Sequence, residues 1–332
     1  MTLFESTLVL LAVAVVLLHM ARRLRVPYPA MLALAGGLVA TLPWMPSIGI
    51  EPHLALALFV APAVLDSAFD MPPRQLKRLW LPLTSLAVVL VVVTTLTVAG
   101  AGMLIAGLPL TAALALGAIV APPDAAAATA VLQEFKLPRR TMAVLQGESL
   151  LNDATALLVF GAALAAAAAP GSSWSSSLPR LLVAVPGGAL LGGLLGALSV
   201  RLAHKWAGTL SSIIVQFVFT YGTWILADRL QLSSVVAVVA LAIVIAHYMP
   251  SRTSARDRVN SYAVWATVVF VLNVLAFLLM GLQARVILRT LQGPALWHAL
   301  KFAGTVLAIV IGVRVFWVML YGIVMRMFEP IF

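Results

Sequence analysis

The stretch Trp80–Ala106, WLPLTSLAVVLVVVTTLTVAGAGMLIA, contains no acidic or basic side chain. It exceeds the roughly 20 apolar residues that a helix needs to cross the hydrocarbon core of a bilayer. Similar stretches recur along a chain of 332 residues that is 63% hydrophobic and 10% charged. A soluble domain is about half apolar and about a quarter charged. The sequence therefore predicts an all-α polytopic membrane protein and excludes a soluble enzyme and a disordered chain.

Eleven stretches are predicted to form transmembrane helices, because each comes close to the required length of about 20 apolar residues. They lie at 3–20, 28–43, 53–70, 80–106, 109–133, 142–168, 179–203, 209–228, 232–248, 262–283 and 302–322. The seventh carries Gly188, Gly192 and Gly196 at four-residue spacing, a small-residue face that favours close approach of another helix backbone.

Basic residues are distributed unevenly between the predicted loops, and the formal net charge is +10. Most of the 21 Lys and Arg residues follow odd-numbered helices, as in the clusters Arg22/Arg23/Arg25 and Arg74/Lys77/Arg78. By the positive-inside rule these loops face the cytoplasm and the N-terminus lies outside. Topology accounts for the excess charge, so no nucleic-acid partner is expected. The absence of cysteine excludes disulfides and thiolate metal sites.

With the loops assigned, five ionisable side chains remain at depth in the predicted helices: Asp66, Asp124, Glu148, Asp153 and Arg314. A charge at the bilayer centre costs at least about 2.5–3.5 kcal/mol, so such residues mark an ion path or a paired structural site. Asp66 lies close to the end of its predicted helix, and a position that reaches water is an equally open interpretation for it.

Asp124 and Asp153 are predicted to lie at nearly the same depth. The fifth and sixth helices form a hairpin joined by the loop 134–141, and the two residues lie at similar distances before and after it. Because each helical residue rises about 1.5 Å, the two carboxylates come to one level, where they can share one site.

The fifth helix contains its own break at Pro122-Pro123-Asp124. Two consecutive prolines remove backbone donors and leave carbonyl groups of the preceding turn unpaired. Such backbone is tolerated at membrane depth only where it is packed in protein or lines a cavity. Asp124 falls where the helix restarts, and a helix N-terminus favours a negative charge. Broken helices of this kind hold small cations in transporters. A simple proline kink is the alternative.

The sixth helix carries two polar pairs at four-residue spacing, Ser149 with Asp153 and Glu148 with Asn152. Arg314 is the only cation at depth in the predicted helices, and Glu148 is its best-placed partner. Such buried pairs are more often structural, because either partner alone would be an uncompensated charge. The three remaining aspartates must then be protonated or hold cations.

Residues 147–157, GESLLNDATAL, resemble the signature of the monovalent cation:proton antiporter family in its sodium/proton exchanger branch. Four further segments support the resemblance: 26–29 (VPYP), 122–124 (PPD), 137–140 (LPRR) and 271–282. The resemblance implies a thirteen-helix fold that contains two inverted six-helix repeats. It also implies that two copies of the protein assemble as a homodimer.

The resemblance also implies roles for individual residues. Asp124 and Asp153 bind Na⁺ and protons in competition, Ser149 contributes an oxygen, and Asp66 closes the site. Asn152 beside Asp153 is the pattern of electroneutral exchange, and Glu148 with Arg314 forms a structural ion pair. The family's usual Thr-Asp-Pro is replaced here by Pro123-Asp124-Ala125, so the Pro123 carbonyl is the oxygen that remains.

The resemblance covers residues 1–332 as one exchanger-type membrane domain. It implies dimerisation or scaffold helices in 1–70 and 209–283, and ion-binding core helices in 80–168 and 302–332. The match ends after the family's eleventh helix, so we expect a C-terminally truncated chain that lacks the last two.

The function expected from the sequence is exchange of Na⁺, or another alkali cation, for H⁺, electroneutrally and by alternating access. The expected location is the bacterial inner membrane, with no cofactor besides the transported ions. Two alternatives remain open: a non-transporting membrane subunit or sensor, and an intramembrane aspartyl protease built on Asp124 and Asp153. Proteases of that kind carry a Gly-x-Gly-Asp motif, which neither aspartate has.

Overall fold

The computed structural model describes residues 3–24, 26–40, 51–70, 73–123, 138–168, 174–206, 211–249, 253–291 and 293–328. Throughout these ranges the regular structure is helical. In chain order the helices are α1 Leu3–Leu24, α2 Tyr28–Ala40, α3 Pro52–Asp70, α4 Pro73–Arg78, α5 Trp80–Thr84, a π-helical turn Ser85–Val89, α6 Leu90–Ala106, α7 Leu110–Val120, α8 Arg139–Ala168, α9 Trp174–Trp206, α10 Ser211–Arg229, α11 Ser234–Tyr248, α12 Ala255–Thr290 and α13 Pro294–Phe328.

Several of these helices are suited to crossing a membrane. Among the described residues, five helical stretches are long and apolar enough: Trp80–Ala106, Arg140–Ala167, Val183–Leu202, Ala255–Ala284 and Pro294–Val324. Four shorter apolar helices accompany them, at Tyr28–Ala40, His53–Ala68, Leu110–Val120 and Ser234–Tyr248. The predicted all-α class with apolar spanning helices is confirmed at this level.

Two predicted helices are considerably longer than their apolar segments. The helix predicted at 262–283 is α12, Ala255–Thr290, and the one predicted at 302–322 is α13, Pro294–Phe328. The N-terminus of α12 is capped by Ser254, whose hydroxyl accepts a hydrogen bond from Asp257 N at 3.1 Å and donates one to Asp257 Oδ2 at 2.8 Å. Such reciprocal capping stabilises a helix start among polar residues, where hydropathy carries no signal.

The fifth predicted helix, 109–133, is interrupted where the prolines predict. The described helix α7 ends at Val120, immediately before the bend that contains Pro122. Residues 124–137 lie outside the described ranges, and so does the predicted restart of the helix.

The chain divides into two compact units. The first comprises 1–73, 124–146 and 186–292, and the second comprises 74–123, 147–185 and 293–332. In the first unit α2 packs closely on α12, because Gly36 and Gly281 have no side chain. A Cβ atom on Gly36 would collide with the Leu278 carbonyl oxygen, and one on Gly281 with that of Ala33.

The predicted small-residue face of the seventh helix, α9 in the structure, is confirmed as a packing surface. A Cβ atom on Gly188 would lie 2.6 Å from the carbonyl oxygen of Ser233, and one on Gly192 would collide with that of Ala237. Gly196 faces Val244 in the same way. This part of α9 therefore lies directly against the backbone of α11.

In the second unit α6, α7 and α8 pack together at two levels. Val91, Ala121 and Ala156 form one buried cluster. Ala99, Ala113, Leu114 and Ala163 form another. Between the two levels the numbering rises along α6 and α8 and falls along α7. Helix α7 is therefore antiparallel to both of its neighbours, and its C-terminal break lies beside α8.

Candidate functional site

Helix α8 buries the polar motif that the sequence singles out. Glu148 is 2% exposed, Ser149 7% and Asn152 0%, and Asp153 is half-buried. Polar side chains of these types are mostly exposed in proteins, and their burial requires hydrogen-bonding or charged partners. One and a half turns of α8 thus concentrate polar groups within an otherwise apolar helix.

Glu148 and Arg314 are brought into contact in the second unit. Arg314 Nη1 lies 2.8 Å from Glu148 Oε1, and the side chains are 31% and 3% exposed. The distance makes an ion pair, although within the described residues Oε1 receives no well-aligned hydrogen bond. The arginine compensates a carboxylate charge that would otherwise be buried alone.

Asn152 is the most completely buried residue of the motif. Its Oδ1 and Nδ2 atoms are buried, and neither has a hydrogen-bond partner among the described residues. An amide group offers two donors and one acceptor, and burying them unpaired is costly. The described residues therefore leave the hydrogen-bonding capacity of the Asn152 side chain unused.

The break after α7 lies next to the same part of α8. Ala121 packs against Ala156, which follows Asn152 by one helical turn. Because α7 and α8 are antiparallel, the chain beyond Ala121 continues toward the level of Asn152. The Ala118 carbonyl cannot receive the usual helical hydrogen bond, since Pro122 has no N–H group. Pro123 lies at this bend and contributes a further carbonyl.

The described ranges leave the grouping of the other predicted site residues a prediction. Asp124 lies outside the described residues, so its position beside Asp153 stays a prediction. Asp66 is half-buried on α3 in the first unit, whereas Asp153 belongs to the second. Both make interactions of their own. Within the described residues, no three His, Asp or Glu side chains come together in a way that could hold a metal ion.

Two features near the motif escaped the sequence analysis. The first is the π-helical turn Ser85–Val89, where the Leu90 N–H donates to the Ser85 carbonyl five residues back. The second is a hydrogen bond from Trp317 Nε1 to Ser85 Oγ, at 3.1 Å. Pro82, which removes an N–H group just before the turn, was the signal available for the first. The second joins residues too distant in sequence for any local pattern to reveal.

A comparison with known families gives a match over residues 9–329, nearly the whole chain. The matching family is described as sodium/hydrogen exchanger, transmembrane.

Curated relatives carry names of the same kind. The uncharacterized Na(+)/H(+) exchanger YjcE of Escherichia coli (strain K12) is 32% identical over 278 residues, which cover 80% of this chain and 50% of YjcE. The Na(+)/H(+) antiporter NhaS2 of Synechocystis is 30% identical over 282 residues, 85% of this chain and 52% of NhaS2. A sodium, potassium, lithium and rubidium/H(+) antiporter of Bacillus pumilus is 30% identical over 267 residues, 78% of this chain and 40% of the relative. The chain spans about half the length of the curated relatives it matches.

Among solved structures, the chain is similar to the sodium proton antiporter MjNhaP1 from Methanocaldococcus jannaschii at pH 8. The TM-score is 0.67 at 19% sequence identity, and the match covers 85% of this chain and 71% of the other. At this identity the likeness establishes the fold.

Proposed function

The chain belongs to the transmembrane sodium/hydrogen exchanger family, and from this premise we propose that it exchanges Na⁺, or another alkali cation, for H⁺ across the membrane. The observation that carries the proposal is the buried polar motif of α8 beside the proline break of α7. Relatives that match over most of the chain support this chemistry: one is named as a Na⁺/H⁺ antiporter, and another as an antiporter of sodium, potassium, lithium and rubidium.

Competition for one carboxylate site provides the mechanism. Asp153, on the buried motif, and Asp124, at the break, bind either the cation or protons but not both loads together. Ser149, one turn before Asp153, and the Pro123 carbonyl supply neutral oxygens, which alkali cations accept as ligands. Protons release the cation on one side of the membrane, and the cation releases protons on the other. Alternating access of the site to the two sides completes the cycle.

Asn152 and the ion pair have supporting roles in this proposal. Asn152 keeps a neutral hydrogen-bonding group beside Asp153 and adds no charge to the site. Glu148 with Arg314 maintains the packing of α8 on α13, and Asp66 closes the site during the cycle.

The division of the chain supports a separation of tasks. We assign a dimerisation or scaffold role to 1–70 and 209–283, which fall largely in the first compact unit, and an ion-binding role to 80–168 and 302–332, which fall largely in the second. The active form in this proposal is a homodimer in the bacterial plasma membrane, with the N-terminus outside and no cofactor. In this proposal residues 1–332 supply the first eleven helices of the family's thirteen-helix inverted-repeat topology.

Cation-dependent proton flux tests the proposal. The protein is reconstituted into proteoliposomes that contain a pH-sensitive dye, and Na⁺, Li⁺, K⁺ or choline is added outside. We expect alkalinisation of the lumen with at least one alkali cation, because protons leave as the cation enters, and no pH change with choline. Vesicles with the Asp153→Asn variant serve as the protein-containing control. Equal cation-dependent signals from wild-type and variant vesicles would refute exchange at Asp153. The absence of a signal from wild-type vesicles with every cation would favour a non-transporting role.

A further inference from the structure

Helix α13 packs on α6 in the second unit and leaves most of its remaining surface uncovered. In an apolar 18-residue part of Pro294–Val324, only 6% is buried within the described structure. Large apolar side chains are exposed over most of its surface, for example Leu307 at 61% and Phe316 at 66%. Packing therefore covers only part of this helix, and polar contacts add to the constraint on its rotation about its axis.

Two polar side chains, one helical turn apart, connect α13 to two different elements. Arg314 contacts Glu148 on α8, and Trp317 donates its indole N–H to the Ser85 hydroxyl at the π-helical turn. Residues three apart project from the same side of a helix, about 60° from each other. A rotation of α13 that lengthens one contact therefore also displaces the other.

Ser85 lies close to the depth of the ion pair. The clusters described above set Val91 level with Ala156, on helices that run in the same direction. Ser85 precedes Val91 by six residues and Glu148 precedes Ala156 by eight, so their levels differ by about 3 Å at 1.5 Å per residue. The Ser85 hydroxyl, at the start of the π-helical turn, thus lies near the level at which Arg314 of α13 contacts Glu148.

We propose that Trp317 and Ser85 are positioning residues, whose hydrogen bond fixes the rotation of α13 and thereby keeps Arg314 on Glu148. Ser85 is the first residue of the π-helical turn, and π-helical turns within longer helices occur frequently at functional sites. The inference rests on the proposed function only for its transport readout.

A double-mutant cycle tests the coupling without reference to transport. Trp317→Phe keeps an aromatic ring at this position and removes the indole N–H donor. Ser85→Ala removes the hydroxyl acceptor. In the wild-type background each is expected to lower the apparent melting temperature in detergent by about 2–4 °C. In a Glu148→Gln/Arg314→Met background, which has no ion pair to position, the same changes should cost less than half as much. Ser85→Thr retains the hydroxyl and should restore the wild-type value.

Trp297→Phe is the matched control, because Trp297 is on the same helix and is 68% exposed. It should leave the melting temperature unchanged in both backgrounds. Equal losses from Trp317→Phe with and without the ion pair would overturn the proposal, as would a Ser85→Ala variant as stable as wild type.

Transport separates this inference from the proposed function. In proteoliposomes Trp317→Phe and Ser85→Ala should each reduce the maximal Na⁺-dependent proton flux several-fold, with the half-saturating Na⁺ concentration within about twofold of wild type, because neither residue is a proposed cation ligand. Wild-type protein that shows no flux with any alkali cation contradicts the proposed function but leaves the thermal cycle to decide the positioning role. A normal flux together with coupled thermal losses would restrict the role to stability and overturn the transport part.

Discussion

Arg314 Nη1 lies 2.8 Å from Glu148 Oε1, but the two side chains are buried very unequally, at 31% exposed for the arginine and 3% for the glutamate. The contact therefore joins a carboxylate enclosed by protein to a guanidinium that retains an open side. Because the desolvation penalty falls mainly on the glutamate, the two ends of this ion pair are not equivalent.

This asymmetry predicts unequal effects of neutralisation. Arg314→Met leaves the enclosed Glu148 carboxylate without compensation and should cost roughly 3–5 kcal/mol of stability. Glu148→Gln leaves a cation that can still reach polar surroundings, so its loss should be smaller. The double variant should recover part of the larger loss, because it removes the buried charge altogether. Thermal unfolding in detergent, followed by the loss of soluble protein after heating, measures all three.

Strictly additive losses in that series would mean that the two residues do not interact energetically. A larger loss for Glu148→Gln than for Arg314→Met would contradict the assignment of the desolvation penalty to the glutamate.

Asp153 should be indispensable for exchange and dispensable for folding. Asp153→Asn preserves the shape of the side chain and removes the charge for which cation and proton compete, so flux in everted vesicles should fall to the level of empty vesicles. Asp228→Asn is the control, because that carboxylate is 54% exposed and pairs loosely with His53, 4.0 Å away. It should retain flux. Substantial Na⁺-driven proton movement by Asp153→Asn would remove Asp153 from the site.

The packing of α7 just before its break should tolerate no side chain at Gly117. A Cβ atom there would collide with the Thr95 carbonyl oxygen and lie 3.0 Å from Thr95 Cα, both rigid backbone atoms. Gly117→Ala should therefore destabilise the protein by about 1–3 kcal/mol, the usual cost of overpacking. Gly100→Ala on α6 is the matched control, since a Cβ atom there meets nothing within 4 Å. A Gly117→Ala protein as stable as the Gly100→Ala protein would contradict the close approach of α6 and α7.

Much of the fold could be predicted from hydropathy and glycine spacing, because both follow from local chemistry. The break of α7 was predictable from Pro122 and Pro123, which lack donors in any environment. The close contact at Gly192 was predictable in kind, since small-residue spacing indicates close approach, but its partner Ala237 was not. A one-dimensional pattern identifies a surface and leaves its neighbour open.

The ends of long helices and the polar contacts between helices lie beyond such patterns. Hydropathy marks the apolar part of α12, whereas capping by Ser254 decides where the helix begins. The contact of Glu148 with Arg314 could be anticipated because Arg314 is the only cation deep inside a predicted helix, away from its ends. The partner of Trp317 could not be anticipated in this way, because hydroxyl acceptors are common in these helices. Only the three-dimensional structure shows that Ser85 accepts its hydrogen bond.

Charge counting at the proposed site predicts its stoichiometry. Asp124 and Asp153 are the carboxylates assigned to the cation, their neighbour Asn152 is neutral, and no lysine lies within any predicted transmembrane helix. If Na⁺ binds as the site loses one net proton, the loaded site has the same charge in both half-cycles and one cation exchanges for one proton. The rate in proteoliposomes should then be indifferent to a membrane potential imposed with valinomycin and a K⁺ gradient, and collapsing that potential should leave the rate unchanged.

An electrogenic cycle would need another group to change protonation, and Asp66 is the remaining candidate. A wild-type rate that rises with interior-negative potential would refute electroneutral exchange. If the rise is lost in an Asp66→Asn variant, Asp66 is the second proton carrier. If the variant shows the same rise, Asp66 does not have that role.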